Sequence, residues 1–421
     1  MSSKQPSHWP IWLLLAISLF VRGRVLQTFM RQLLRDPDNY RELAESLAEY
    51  GTLGFLFGNG PIPTAYRPPL YPLLLAPSSL LGGYGLLAVG ALHVSLGLLS
   101  VWLVWRLGLR WQLPRWAALL AAALIAVDPL LVYQASQIMT ETLAALLTVV
   151  ALHGLTSAMS SPSAPSAAAA GACLGCCALC RPTYFVWLAL VLVALPAFVS
   201  GWKTRAGLMA AFVLGAALPI APWAIRNQIS LGSPIITTTH GGYTLLLGNN
   251  PLYYQHLREA VWGEVWDSDE FDRPWERLRA ERPTEEIELD QLAYDAAWRN
   301  MREQPLMAAY AALVRVGSLW GLVPHQLDAQ EASSFRLLRY AIGGWYAIEL
   351  FLVAVGLIVL RGKLVRSAWL WGLLLLLGFT AVHTLYWTDM RMRAPLMPAV
   401  ALFAAAGARW LAKRAEPEAA L

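Results

Sequence analysis

Apolar residues in this chain gather in long runs and do not recur at the 3.6-residue period of a soluble amphipathic helix. A membrane-spanning helix needs roughly 20 mostly apolar residues. The runs predict about ten spans, over residues 9–30, 84–107, 116–133, 141–158, 164–179, 183–199, 206–223, 340–360, 368–387 and 394–411. Polar segments between them divide the chain into three parts. Residues 1–224 form a membrane module with a first outer loop at 31–83. Residues 225–335 form a loop domain with an interfacial or re-entrant helix, and residues 336–421 close the membrane part. The expected fold class is an all-α polytopic membrane protein carrying a mixed loop domain. The first run lacks a small-residue cleavage site and is expected to remain as a signal anchor.

Lysines and arginines in short loops set the orientation. Arg106, Arg110 and Arg115 share one loop, Lys203 and Arg205 a second, and Arg361, Lys363 and Arg366 a third, while Lys413 and Arg414 follow the last span. One assignment puts all of these, with both termini, in the cytoplasm. Residues 31–83 and 225–304 then face out. The first of these loops carries Arg31, Arg35, Arg41 and Arg67 against the usual bias, which invites a functional reading. Arg181-Pro182-Thr183 is read as a break between two short spans, because one long span would move Lys203 and Arg205 outside. Segment 306–323 is apolar enough to span, but Arg315 sits near its middle, so an interfacial or re-entrant helix is expected. Segment 234–250, rich in Thr, Gly and Ile, is expected to form short strands or an irregular loop. Segment 262–302 is charged and helix-prone.

Composition sharpens this picture. The chain is 57% hydrophobic and 14% charged, against about 25% charged in soluble domains. Its net charge is +5, but the basic residues cluster beside apolar runs. That pattern excludes nucleic acid as a partner and points to the lipid bilayer. The 19 Trp and 15 Tyr suit an interfacial belt. All four cysteines, Cys173, Cys176, Cys177 and Cys180, fall on one helical face. The spacing resembles a metal site, but the surrounding Ala and Gly favour close helix packing in lipid.

The first outer loop carries most of the candidate chemistry. Tyr40, Leu43, Ala44 and Leu47 recur at helical spacing, with Arg41, Glu42, Glu45 and Glu49 opposite, as in a helix lying at the interface. Asp36 is a natural N-cap and Pro37 fits the first helical position. Asp36 also reads as a catalytic carboxylate, and the two roles are compatible. Asp36-Pro37-Asp38 forms a D-x-D triplet, but no strand–glycine–helix context surrounds it, and no metal is called for. Asp267-Ser268-Asp269 reads as solvated surface. Prolines at 63, 68, 69 and 72 stiffen the path that presents Arg67, whose planar fork suits a phosphate. Snorkelling at the interface is the plainer alternative. Residues 70–81 suit an interfacial or re-entrant element. Glu141 and Asp128 flank the second outer loop. Each fits either a helix start or a second active-site acid. His383 and the turn bearing Arg391 and Arg393 follow near the end, as anchors or as ligands of an anionic headgroup.

The order of these motifs resembles the family 39-type GT-C membrane glycosyltransferases, relatives of bacterial aminoarabinose transferases and protein O-mannosyltransferases. An Asp stands four residues before Tyr40. Then come A-Y-R-P-P-L-Y-P from Ala65, M-T-E-T-L from Met139, P-W-A-I-R-N from Pro222, G-G-Y-T-L-L-L-G-N-N-P from Gly241 and R-M-R-A-P-L-M-P from Arg391. The resemblance spans about residues 9–412. It implies a GT-C fold, a polyprenyl-phosphate sugar donor, inversion at the anomeric carbon, and an active site on the periplasmic or exterior face, in a bacterial inner membrane. It implies Asp36 as base, with Asp38 as second candidate, Glu141 as a nearby acid and Arg67 on the lipid phosphate. Tyr40, Tyr66, His240, Asn249, His383, Arg391 and Arg393 join the substrate-binding set. Two departures are visible: Pro37 replaces the second acid of a common Asp-Glu pair, and Met392 replaces the aromatic of a common R-Y-R.

The chemistry fits these residue types. A phosphate leaving group needs cations, and a hydroxyl nucleophile needs an aligned base. No cofactor is implied, and the sugar, carrier length and acceptor stay open. The rival reading is a transporter or flippase, which would place ionisable groups mid-membrane. The sequence offers His93, His153 and Arg181 there, and no mid-span carboxylate is expected.

Overall fold

The computed structural model describes residues 9–58, 60–259, 264–326 and 331–415. Helix α1 (Trp9–Phe29) leads through a 3-10 turn at Met30–Leu34 into the first loop. That loop holds α2 (Tyr40–Tyr50), the hairpin β1 (Gly54–Phe57) and β2 (Gly60–Pro63), and α3 (Leu70–Ser79). A helical series follows: α4 (Gly85–Arg110), α5 (Arg115–Ala126), α6 (Pro129–Gln134), α7 (Glu141–Ser160), α8 (Ala164–Cys180), α9 (Tyr184–Ala194) and α10 (Trp202–Leu231). The second loop holds α11 (Gly241–Leu247), α12 (Pro251–Glu259), α13 (Asp269–Glu281), α14 (Glu286–Glu303) and α15 (Pro305–Leu319). Helices α16 (Ser333–Leu360), α17 (Trp369–His383) and α18 (Met397–Ala415) finish the chain, with a 3-10 turn at Met390–Leu396 before α18.

Six helices are long and apolar enough to cross a membrane: α1 with its 3-10 extension, α4, α7, α10, α16, and α18 with the turn before it. The remaining four expected spans are shorter apolar helices, α5, α8, α9 and α17. Large apolar side chains such as Trp12, Phe20, Leu214, Leu218, Ile348 and Phe351 are exposed on the outer faces, as an integral membrane protein requires. The expected span 116–133 is broken. Helix α5 stops at Ala126, and Asp128 caps α6 by accepting the Leu131 N–H at 2.8 Å.

Two ends of the bundle are defined by contacts. At one end Trp111 donates to Thr156 Oγ1 at 3.0 Å, Arg110 to Ser157 Oγ at 2.9 Å and Arg409 to the Gln112 carbonyl at 3.0 Å. The two large loops meet at the other. Arg226 donates to the Thr64 carbonyl at 2.8 Å, and Glu286 accepts from the Thr64 hydroxyl and from the Ala65 N–H at 2.9 Å. Helix α15 runs about 22 Å at 1.5 Å per residue, the same length as α17, and is tied to the loops of this second end. Buried Arg315 donates to the Thr384 carbonyl at 3.1 Å and to the Gly248 carbonyl, and Trp320 donates to Thr380 Oγ1 at 3.2 Å. The polar centre of segment 306–323 therefore anchors loops.

Helices α8 and α10 pack backbone to backbone. A Cβ on Gly171 would fall 2.0 Å from the Phe212 carbonyl, and one on Gly215 would fall 2.0 Å from the Ala168 carbonyl. Cys177 and Cys180 are buried within this small-residue region.

Three local expectations need correction. Segment 234–250 is irregular over 234–240, as one alternative expected, but residues 241–247 form helix α11 and no strand is present; the hairpin lies instead in the first loop, at β1–β2. Gly242 is required in α11, since a Cβ there would stand 2.1 Å from the Asp290 carbonyl of α14. Pro37 lies outside α2, which starts at Tyr40 after Asn39 in the left-handed region. Glu349 is a buried carboxylate within α16, where none was expected.

Candidate active site

The first loop folds back on the start of α2. Asp36 Oδ2 accepts the N–H groups of Arg41 (2.9 Å) and Glu42 (3.0 Å), so it caps the helix from upstream. Its Oδ1 is buried and has no hydrogen-bond partner among the described residues. Asn39, at φ 60°, turns the chain so that Asp38 faces Arg67. Arg67 donates through Nη2 to Asp38 Oδ1 at 2.7 Å and through Nε to the Asp38 carbonyl at 3.0 Å. Its guanidinium lies 4.8 Å from the Tyr66 ring centre and 5.6 Å from that of Tyr40. Burial would raise the Asp38 carboxyl, but Arg67, Arg391 and Arg181 outweigh it and hold the group below the usual range. Tyr40 also meets Tyr71 edge to face at 5.1 Å.

Three distant segments complete the cluster. Glu141, 2% exposed, opens α7. Arg181, just past α8, stands 3.3 Å from Glu141 Oε1. Arg391 Nη1 lies 3.9 Å from Asp38 Oδ2 and 4.0 Å from Glu141 Oε1. Asp389 holds Arg391 in place, accepting its Nε–H at 3.1 Å and its backbone N–H at 2.9 Å. Glu141 Oε2 has no partner among the described residues. Burial raises the Tyr71 phenol, and the nearby Glu141, Tyr40, Cys180 and Asp36 add to it. The Met392 sulfur accepts from Arg181 Nη2, which gives this residue a role at the site although it is not aromatic.

Asp36, Asp38, Tyr40, Tyr66, Arg67, Glu141 and Arg391 thus share one region. Arg181 and Asp389 join them unforeseen. The signal for Arg181 was present, since both it and Arg67 are arginines placed before a proline at the border of an apolar helix. His240 lies beyond Tyr66, ring centres 4.2 Å apart.

Three other candidates sit elsewhere. Asn249 is fully buried and ties loops together, donating to the Leu245 and Leu385 carbonyls at 2.8 and 2.7 Å. His383 Nδ1 pairs with Thr388 Oγ1 at 2.8 Å and braces the turn that carries Asp389. Arg393, two residues from Arg391, points the other way. It donates to the Gly321 carbonyl and lies 3.9 Å over the Tyr346 ring. There it belongs to a second buried set with Arg22, Asp128 and Glu349, all at most 2% exposed. Both oxygens of Glu349, and Nε and Nη2 of Arg393, lack partners among the described residues.

No family model matches the sequence, and no curated protein matches it. Solved structures do match. The archaeal oligosaccharyltransferase AglB from Archaeoglobus fulgidus, in complex with an inhibitory peptide and a dolichol-phosphate, aligns at TM-score 0.55 and 16% identity, over 97% of this chain and 51% of its own. The oligosaccharyltransferase of the same organism tethered to an acceptor peptide aligns at 0.53 and 14%, over 97% and 50%. ArnT from Cupriavidus metallidurans bound to undecaprenyl phosphate aligns at 0.45 and 16%, over 96% and 78%. At these identities the likeness is one of fold. The chain is a polytopic helical membrane protein whose fold is like that of the oligosaccharyltransferases it matches, and it spans about half their length.

Proposed function

We propose that the protein is an inverting glycosyltransferase that moves a sugar from a polyprenyl-phosphate carrier to an acceptor on the extracytoplasmic membrane face. The observation that carries this reading is the convergence of Arg67, Arg181 and Arg391, from three distant segments, on the half-buried Asp38 and the buried Glu141. The arginines confer cationic hydrogen-bond donors on the mouth of a membrane bundle, where a lipid phosphate would arrive. Arg67 Nη1 carries no hydrogen bond among the described residues. The dolichol-phosphate in the archaeal structure of like fold supports a lipid phosphate as ligand.

In the proposed step the acceptor hydroxyl oxygen attacks the anomeric carbon from the face opposite the phosphate. Asp36 Oδ1 takes the hydroxyl proton. The bond from the anomeric carbon to the phosphate oxygen breaks, and the phosphate leaves with the electron pair. Arg67 and Arg391 stabilise the charge that grows on it. Capping leaves Asp36 rigid, with one oxygen free. Asp38 is engaged by Arg67 and is the weaker candidate for the base.

Native mass spectrometry of protein drawn from its own membranes tests the donor, and transfer of labelled sugar from a synthetic polyprenyl-phosphate donor tests the reaction. A protein that retains no polyprenyl phosphate species and binds none when it is added would overturn the proposal. Glu349 favours a second reading, a carrier for a lipid-linked solute, since a buried intramembrane acid is a feature of transport paths. Movement of labelled donor across proteoliposomes without any transfer would select it.

A further inference from the structure

A cavity of about 340 Å³ lies between the hairpin β1–β2, helices α13 and α14, and the turn at His240. Tyr66 separates it from the cationic cluster. On its ring rest both Arg67, at 4.8 Å, and Arg279, at 3.9 Å, and Arg279 donates to its hydroxyl at 2.9 Å. The wall continues as a line of rings in contact at differing angles. Tyr66 and His240 lie 4.2 Å apart, His240 and Tyr243 lie 4.9 Å apart at 21°, and Trp275 stands edge-on to Tyr243 at 6.3 Å.

The polar lining is of a particular kind. His240 Nδ1 has no hydrogen-bond partner among the described residues. Burial, with Arg67 and Arg279 nearby, keeps that imidazole neutral by lowering its pKa well below the ordinary value. A neutral ring nitrogen matches a hydroxyl better than it matches a phosphate. Carboxylates Glu42, Glu276, Glu286 and Asp290 line the cavity against Arg279 and Arg282, which disfavours an anionic occupant. Asn39 and Glu42, from the turn that Asp36 caps, form the rim toward the cluster.

We infer that this cavity receives the acceptor, and that the acceptor presents a neutral saccharide ring to it. The inference rests on the donor and base assignments above. Aromatic side chains of the lining, Trp275 among them, pack against the C–H face of a pyranose, while carboxylates and a neutral imidazole take its hydroxyls. At about 340 Å³ the cavity sits at the small end of ligand sites, which run from about 300 to 1,000 Å³. That suits one or two sugar rings and not an extended chain. A hydroxyl held at the Asn39–Glu42 rim is directed toward the side on which Asp36 lies.

The test is saturation-transfer NMR of the purified full chain with a panel of methyl hexopyranosides and their disaccharides, with a short serine- and threonine-containing peptide as comparator. The wild type should transfer saturation to at least one saccharide. Trp275→Ala should weaken that binding by about tenfold, the loss of roughly 1.4 kcal/mol of contact. Glu276→Gln, an exposed change that spares folding, should weaken it less. Arg391→Ala should leave saccharide binding intact while reducing retention of undecaprenyl phosphate in native mass spectra. Absence of saturation transfer to every saccharide, binding unchanged in both cavity variants, or binding of the peptide alone would each overturn the inference. Failure of undecaprenyl phosphate to bind, with saccharide binding intact, would instead strike the donor assignment.

Discussion

Arg391 and Arg393 share one 3-10 turn, yet they enter two different charge sets, one partly open and one buried. In the front set, Arg391 meets carboxylates: Asp389 at 3.1 Å, Asp38 at 3.9 Å and Glu141 at 4.0 Å. In the back set, Arg393 and Arg22 bond mainly to backbone carbonyls. Arg22 donates to Ile125 and Leu131, both at 3.1 Å. The back acids Asp128 and Glu349 have no arginine within 4 Å among the described residues. Ion pairs at a partly open surface can be exchanged for a ligand's charges. Arginines bonded to the ends of broken helices fix the backbone, because those carbonyls would otherwise lie unpaired in a dry interior. Under the proposed function, the contrast assigns chemistry to the front and architecture to the back.

The largest expected effect falls on the front. Asp36→Asn should lower single-turnover transfer by roughly 10²–10⁴, with folding and donor binding kept, because Asn still offers an oxygen to cap α2. Rapid-quench transfer and a thermal melt measure the two parts. Near-normal turnover in this variant, with a dead Asp38→Asn, would move the base to Asp38.

Next in size is Arg67. Removing a charge-assisted hydrogen bond costs about 1.5–3 kcal/mol, so Arg67→Ala should lose roughly tenfold to a hundredfold in donor affinity and rate. Arg67→Lys should fall between, since Lys restores the charge but not the fork. Arg391→Ala should show the same sign with a smaller size. Donor titrations of the three variants decide the matter. Equal and near-normal affinities would place the phosphate elsewhere.

A smaller effect concerns pH. Burial and the neighbouring Glu286 raise the Asp290 carboxyl from 3.8 to about 6, although it accepts the Gly242 N–H at 2.7 Å. Between those values the folded chain holds a proton that the unfolded chain has released. Stability therefore falls as pH rises through this window. Asp290→Asn keeps the acceptor and should flatten that slope in thermal melts taken across the same range.

The smallest effect is expected at the back. Glu349→Gln exchanges a buried, unpartnered acid for a neutral isostere, so stability should hold or rise and transfer should stay near wild type. A large loss of transfer with the fold intact would erase the distinction between the two sets and strengthen the carrier reading.

Much of the fold was legible because lipid imposes one simple rule. Long apolar runs must be helical, and charge beside them sets their order. That rule placed α1, α4, α7, α10, α16 and α18. It failed at Asp128, where an apolar run hides a break, and at Glu349, which sits among apolar neighbours in α16. Part of the site was legible too. Asp36, Arg67 and Glu141 stand out by residue type and by their position beside a helix start or a proline.

By itself, then, the sequence determined the membrane class, the helix order and a short set of acids and arginines worth testing. Only the tertiary structure decided which of them meet. Arg181, read as a break between helices and as a mid-membrane cation, reaches Glu141 because α7 and α8 pack side by side. Asn249, His383 and Arg393 were equally plausible ligands by residue type, but Asn249 and Arg393 turn toward backbone carbonyls and His383 toward the Thr388 hydroxyl. Residue type fixes what a side chain can do. Its partners are set by contacts between segments hundreds of residues apart, such as Arg391 with Met139, and no local pattern encodes those.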